Sequence, residues 1–278
     1  MTDSRDAHVP ASTMPRRIGR AVLGPRGSMS VGRSLMKARA LSSSHLHPTG
    51  RRSTSALESL RDRHAGDRCV IIGNGPSLNK TDLSLLRDQY TFGLNRIYLL
   101  FEELGWSTTF HVVVNQHVVE QCQQDFLSVP GPLFTTWPNR RHLNERQDVI
   151  YLQKVAGPQF SSDVRRGVWE GATVTYVAMQ LAYHMGFEEV VLVGVDHRFA
   201  DKGPAHKLVT ATTGDNNHFH PDYFGPGFRW QLPDLETSEL AYSLANATFK
   251  AAGRRVVDAT VDGALQIFPK ARLETVLQ

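Results

Sequence analysis

Three stretches of this sequence carry residues able to do chemistry. In the first, Cys69-Val-Ile-Ile-Gly-Asn-Gly-Pro-Ser-Leu78, an apolar run breaks at two glycines and enters a polar turn. Gly73 and Gly75 let backbone approach a phosphate with no Cβ in the way, and N–H groups leading into a helix offer donors to an anion. Asn74, Pro76 and Ser77 complete this turn, whose bland reading is a structural strand-to-helix connection. The second set is a pair of asparagines, Asn95 and Asn115, each closing an apolar run. A carboxamide both donates and accepts, which suits sugar hydroxyls, a base edge or a phosphate. The third stretch is Asp215-Asn-Asn-His-Phe-His-Pro-Asp-Tyr-Phe224. His218 and His220 stand there beside Asp215, Asp222 and Tyr223, company that suits a general base oriented by a carboxylate, a metal site, or plain loop histidines.

Several familiar chemistries fail on the residues. A dinucleotide fingerprint needs a third glycine where Leu78 stands and an acidic residue about 20 positions on, but the second apolar run ends in Asn95. A Walker loop needs glycines where Asn74 and Asn79 lie, although Lys80-Thr81 follows. Ser77 lacks the Gly-x-Ser-x-Gly context of a nucleophile elbow, and Cys69 and Cys122 have neither disulfide nor metal spacing. The Asp-x-Asp motif that holds a metal diphosphate is absent. A leaving group would then be held without a divalent ion.

These residues need elements to position them. Hydrophobic periodicity gives strands over residues 68–73, 90–95 and 109–114, with helices over 81–86 and 97–104 between them. Val174, Val177, Ala178, Leu181, Ala182 and Met185 form a core-facing helical stripe behind Gly171-Ala172-Thr173, and that helix start is a second candidate anion site. The apolar run 188–196 reads as a buried strand that delivers Asp196 and Arg198 to the same edge. Residues 197–233 show little periodicity and read as a lid, before a helix over 235–252 and a last strand over 254–258. The expected fold is α/β and Rossmann-like, a mostly parallel sheet with helices on both faces. Ligands then gather at the carboxyl ends of the strands.

Across 278 residues, 41% of them apolar, the chain can bury one full α/β core. Residues 1–55 hold ten Lys/Arg against Asp3 and Asp6, a charge of +8, so the chain's net +4 leaves the folded part at −4. Residues 1–54 are expected to be a disordered basic tail, which could touch anionic lipid or serve as a transit peptide, and 55–278 a single domain. No aromatic interleaves the arginines, which argues against nucleic acid as a partner. No apolar run reaches membrane-spanning length. A cytoplasmic protein, peripheral to the inner face of a membrane at most, is the expectation.

The runs Ile-Ile-Gly-Asn-Gly-Pro-Ser-Leu (71–78), Phe-Gly-Leu-Asn-Arg (92–96), Val-Val-Val-Asn (112–115), Gly-Ala-Thr-Val-Thr-Tyr (171–176), Val-Gly-Val-Asp (193–196) and Asn-His-Phe-His-Pro-Asp-Tyr (217–223) resemble the Rossmann-like superfamily of bacterial sialyltransferases, motility-associated flagellin glycosyltransferases and hydroxymethylpterin diphosphokinase-like proteins. The resemblance implies an inverting transferase that moves a nonulosonic acid from a CMP-activated donor to a glycan acceptor, with no metal cofactor. It implies that Asn74 and the 73–77 backbone, with Asn95 and Asn115, hold donor phosphate and sugar. Gly171 to Thr173 would meet the donor's carboxylate or base, and His218 would be the base, with His220 equally placed. Arg198 stands where the sialyltransferases carry a leaving-group tyrosine, and a guanidinium neutralises phosphate more strongly than a phenol. The rival readings are an ATP- and Mg²⁺-dependent pterin diphosphokinase, with Asp196, Asp201, Asp215 and Asp222 as metal ligands, and a non-catalytic nucleotide-binding module.

Overall fold

Short runs rich in β-branched and aromatic residues, several of them bounded by Gly, Asn or Pro, become the strands of a parallel sheet. The computed structural model describes residues 46–200 and 203–278. Helix α1 (Pro48–Leu60) leads into β1 (Arg68–Ile72), β2 (Tyr90–Leu94) and β3 (Phe110–Val112). Helices α2 (Gln116–Gln121) and α3 (Gln123–Ser128) precede β4 (Leu133–Thr136) and β5 (Val149–Leu152). After α4 (Val174–His184) come β6 (Glu189–Val193), a hairpin of β7 (Leu208–Thr210) with β8 (Arg229–Gln231), α5 (Leu235–Ala251) and β9 (Arg255–Asp258).

The seven-stranded sheet runs β5-β4-β3-β2-β1-β6-β9, every pair parallel. Because the order reverses direction at β1, the crevice between the ends of β1 and β6 is the switch point at which such sheets bind ligands. Cys69 and Ile71 of β1 face one apolar layer with α1, α4 and α5, while Val70 and Ile72 face the other. That second layer holds Leu78, Leu86 and Ile97 from the connections, Val118, Val119 and Phe126 from α2 and α3, and Phe219, Tyr223 and Trp230 from the segment after β6. Burying one such aliphatic side chain fully contributes about 1.5–3 kcal/mol, so the two layers rather than the short helices hold the sheet.

Two expectations change here. The helix expected at 81–86 is instead a 3₁₀ turn, Leu83–Leu86, which Asp82 caps by accepting from the Ser84 amide, and a separate 3₁₀ turn, Pro76–Lys80, precedes it. Residues 48–54, expected as part of the disordered tail, are instead helical, since α1 begins at Pro48, and Ser53 Oγ accepts from the Tyr151 amide at 3.0 Å. Residues 1–45 of the expected tail lie outside the described residues. The chain divides into units Met1–Arg51 and Arg52–Gln278, and all that follows concerns the second. No helix among the described residues is long and apolar enough to cross a membrane.

Candidate active site

At the carboxyl edge of the sheet two chambers share one wall. The inner chamber, about 140 Å³, lies at the switch point and is lined by Gly73, Asn74, Gly75, Asp196 and Arg198. The outer chamber, about 490 Å³, lies over the ends of β2 to β4 and is lined by Asn95, Asn115, His117, Asn139, Lys154 and Glu170. Ala172, Thr173, Phe199 and His218 line both. The expected strand-end asparagines are therefore gathered at one edge, as their register in a parallel sheet requires.

Local geometry explains how each is held. Asn95 leaves β2 in the left-handed region at φ 45°, which Asn tolerates better than most residues, and its carbonyl accepts from His111 Nε2 at 2.7 Å. His111 is fully buried in β3; burial is the main cause lowering its pKa to about 4, so its ring is a neutral donor. Asn115 caps α2, its Oδ1 accepting from the His117 amide at 2.9 Å. Gly171 and Ala172 both have positive φ, 55° and 58°, which swings the chain so that Thr173 Oγ1 accepts from the Thr175 amide at 3.3 Å and caps α4. The α4 N-terminus thus opens on both chambers, with the partial positive charge of its free N–H groups.

The glycine-rich turn is used differently from its sequence reading. Three of its amides are already engaged: Gly73 donates to the Val193 carbonyl at 2.8 Å, Gly75 to that of Gly194 at 2.9 Å, and Ser77 to Asp196 Oδ1 at 3.1 Å. Ser77 Oγ donates to Asp196 Oδ2 at 2.6 Å. A Cβ on Gly75 would fall 1.8 Å from Asp196 Oδ2, and one on Gly73 2.2 Å from the Gly194 carbonyl oxygen. The anion cradled by this turn is the protein's own carboxylate. Pro76 and Ser77 line neither chamber, nor does Gly171, whose added Cβ would meet Ala241 and Tyr176.

Within the expected lid, His218 and His220 part company. His218 Nδ1 lies 2.7 Å from Asp215 Oδ2, a carboxylate only 2% exposed, and its ring stacks on that of Tyr223 at 3.8 Å and 11°. With Nδ1–H donated to Asp215, Nε2 is the ring atom left for the cleft. His220 lines neither chamber; its Nδ1 accepts from the Asp222 amide at 3.1 Å. Tyr223 is fully buried beneath His218 and outside the chambers, and burial raises its hydroxyl's pKa. Arg198 is exposed at the inner chamber's mouth, Nη2 donating to the Asp262 carbonyl at 3.4 Å. The segment is not structureless, since β7 and β8 pair antiparallel within it.

Sequence reasoning passed over several residues of this cleft. Asn139 is fully buried behind β4, its Nδ2 donating to the Val114 carbonyl at 3.2 Å and to Thr135 Oγ1 at 2.9 Å. Lys154 pairs with Glu170 on the outer wall, and His206 meets Asp234 Oδ2 at 3.0 Å. The adjacent arginine pairs Arg140-Arg141 and Arg165-Arg166 lie away from the cleft: Arg165 is bound to Asp163 and Glu58, and Arg140 lies over the Trp137 ring at 4.8 Å. Neither pair lines the chambers.

A family model described as 6-hydroxymethylpterin diphosphokinase MptE-like matches residues 45–202. The chain belongs to that family. The matched segment carries β1 to β6 and stops short of His218 and the hairpin. Among solved structures, the chain is similar to the MAf glycosyltransferase from Magnetospirillum magneticum AMB-1, at 14% identity and a TM-score of 0.48, over 79% of this chain and 38% of that one. It spans about two-fifths of that protein's length. No curated protein matches.

Proposed function

We propose that this protein is an inverting glycosyltransferase that moves a nonulosonic acid, a sialic-acid-like sugar, from a CMP-activated donor to a glycan hydroxyl without a metal ion. The observation that carries this reading is the His218–Asp215 pair at the cleft, with Nδ1 on a buried carboxylate and Nε2 left to the substrate side. As the acceptor oxygen bonds to the anomeric carbon, its proton passes to His218 Nε2, and Asp215 stabilises the imidazolium. The bond from that carbon to the phosphate oxygen breaks, and CMP departs with the electron pair. Its charge would be met by the α4 N-terminus and Arg198, with Asn74, Asn95, Asn115, Thr173 and Asp196 holding the rest of the donor. In this reading the basic residues before α1 bring the enzyme to anionic lipid near its acceptor.

The family description favours a second reading, in which the hydroxyl of a hydroxymethylpterin attacks ATP. The same base would serve, but Mg²⁺ would have to be held by carboxylates. Asp196 and Asp215 already accept hydrogen bonds from Ser77 and from His218 and Asn217, and Asp201 lies outside the described residues. The full-length chain assayed with CMP-N-acetylneuraminic acid and with ATP decides between them. Under the first reading His218→Ala lowers turnover by roughly 10²–10⁴-fold, CMP affinity stays within a few-fold, His220→Ala is near wild type, and EDTA changes nothing. ATP consumption that EDTA abolishes and Mg²⁺ restores replaces the transferase with the diphosphokinase.

A further inference from the structure

His218 sits in a loop, yet its ring is held as if on a rigid element, and the cause lies on the sheet. Arg96, the residue after Asn95, sends Nη1 to the Asp222 carbonyl at 2.9 Å and to that of Tyr223, while Nε donates to Tyr98 Oη at 3.0 Å. Tyr98 in turn donates to Asp125 Oδ2 at 2.7 Å, so the guanidinium is itself fixed. Its Cζ lies 5.9 Å from the Tyr98 ring, 5.9 Å from that of Tyr223 and 5.5 Å from that of Phe228. Tyr223 is the ring on which His218 stacks.

On the other side of the loop the Phe219 amide donates to the Asn74 carbonyl at 3.0 Å, and Asn79 Nδ2 donates to the Phe219 carbonyl at 3.0 Å. Between these clamps the loop closes on itself through the Asp215 amide and the Pro221 carbonyl at 2.9 Å. His111 supports the arrangement from below by fixing the carbonyl of Asn95.

We infer that Arg96 is a positioning residue for the base: it holds the Asp222-Tyr223 backbone so that the Tyr223 ring sets the plane of His218, and Asn79 supplies a weaker second clamp. The inference rests on His218 being the base of the proposed transfer. A misplacement of about 1 Å can cost roughly 10²-fold in rate without touching the substrate. Arg96 is suited to this because one planar guanidinium reaches two carbonyls and a phenol at once, which an ammonium cannot do in the same geometry.

The test uses full-length Arg96→Met, Arg96→Lys, Asn79→Ala and His218→Ala, with CMP-N-acetylneuraminic acid turnover, CMP binding and hydrogen exchange of the 215–224 amides. Arg96→Met is expected to lose roughly 10–100-fold in kcat with donor KM within threefold, and to exchange faster at 215–224 than in the sheet. Arg96→Lys should recover part of both effects, and Asn79→Ala should show a smaller version of them. Wild-type exchange at 215–224 in Arg96→Met, a KM effect alone, or exchange that quickens uniformly with a lower Tm would overturn the inference. Should His218→Ala keep wild-type turnover, the transferase base itself is wrong, and localised loop exchange in Arg96→Met would still show whether the clamp exists.

Discussion

Two turns in this molecule start from glycine, lead into a helical turn and look in sequence like anion sites, but the folded chain treats them oppositely. The turn at 73–77 is closed, the N–H groups of Gly73, Gly75 and Ser77 taken by Val193, Gly194 and Asp196, with the Asp196 carboxylate seated where a phosphate was expected. The turn at 171–175 is open, its Ala172 and Thr173 forming the wall common to both chambers. What separates them is a third segment. β6 lies beside β1 and delivers Asp196 to the first turn, whereas α5 packs behind Gly171 and leaves the front of the second turn clear. A glycine turn reports that something comes close to the backbone, not what comes close.

The comparison is broken most severely at Gly75. In Gly75→Ala the new methyl must displace the Asp196 carboxylate, losing two charge-assisted hydrogen bonds at about 1.5–3 kcal/mol each, so a loss of about 3 kcal/mol or more is expected in urea denaturation. The double variant Gly75→Ala/Asp196→Ala should be less destabilised than the sum of its single changes. Strict additivity would mean that the glycine makes room for something other than Asp196.

Next in size is an acid effect beneath the open side of the cleft. His111 titrates at about 4 in the folded chain against about 6.5 when unfolded. Between those values the unfolded state binds the proton and the folded state does not, so stability is intact above pH 6.5 and falls as pH drops toward 4, by on the order of 3 kcal/mol. Denaturation of the wild type and His111→Gln across pH 4–7 should show a shallower slope in the variant. The smallest effect belongs to the open turn. Thr173→Val removes the α4 cap and should cost about 1 kcal/mol while weakening nucleotide binding, whereas Ser77→Ala should leave binding nearly unchanged.

The parallel sheet was legible because its strands are apolar runs with sharp ends: 68–73, 90–95 and 188–196 contain β1, β2 and β6, and the stripe from Val174 marks α4. Local pattern suffices where burial is nearly complete. It fails where the decisive partner is distant in sequence. Nothing near Ser77 announces Asp196, 119 residues away, and nothing near Gln121 announces that its side chain both accepts from and donates to the backbone of Arg229 in β8 at 2.8 Å. The β7–β8 hairpin was hidden for the same reason: its strands are three residues each and mostly exposed, with too few apolar positions to show alternation. His218 and Asp215 were visible as neighbours, but two histidines of equal spacing became unequal only when Tyr223 and the clamps fixed which one turns to the cleft.

The separation of β1 from β6 also bears on how the chain is made. Strand β1 gains its first partner, β2, about 20 residues later, but Arg68 meets Glu189 only after 121 residues have been added. A ribosome adding roughly 5–20 residues per second leaves one edge of Cys69-Val-Ile-Ile unpaired for several seconds. That edge is apolar and a template for pairing with another copy. Overproduction at lower temperature, where hydrophobic association weakens, should therefore favour soluble protein over aggregate, and a chain truncated before β6 should aggregate through β1.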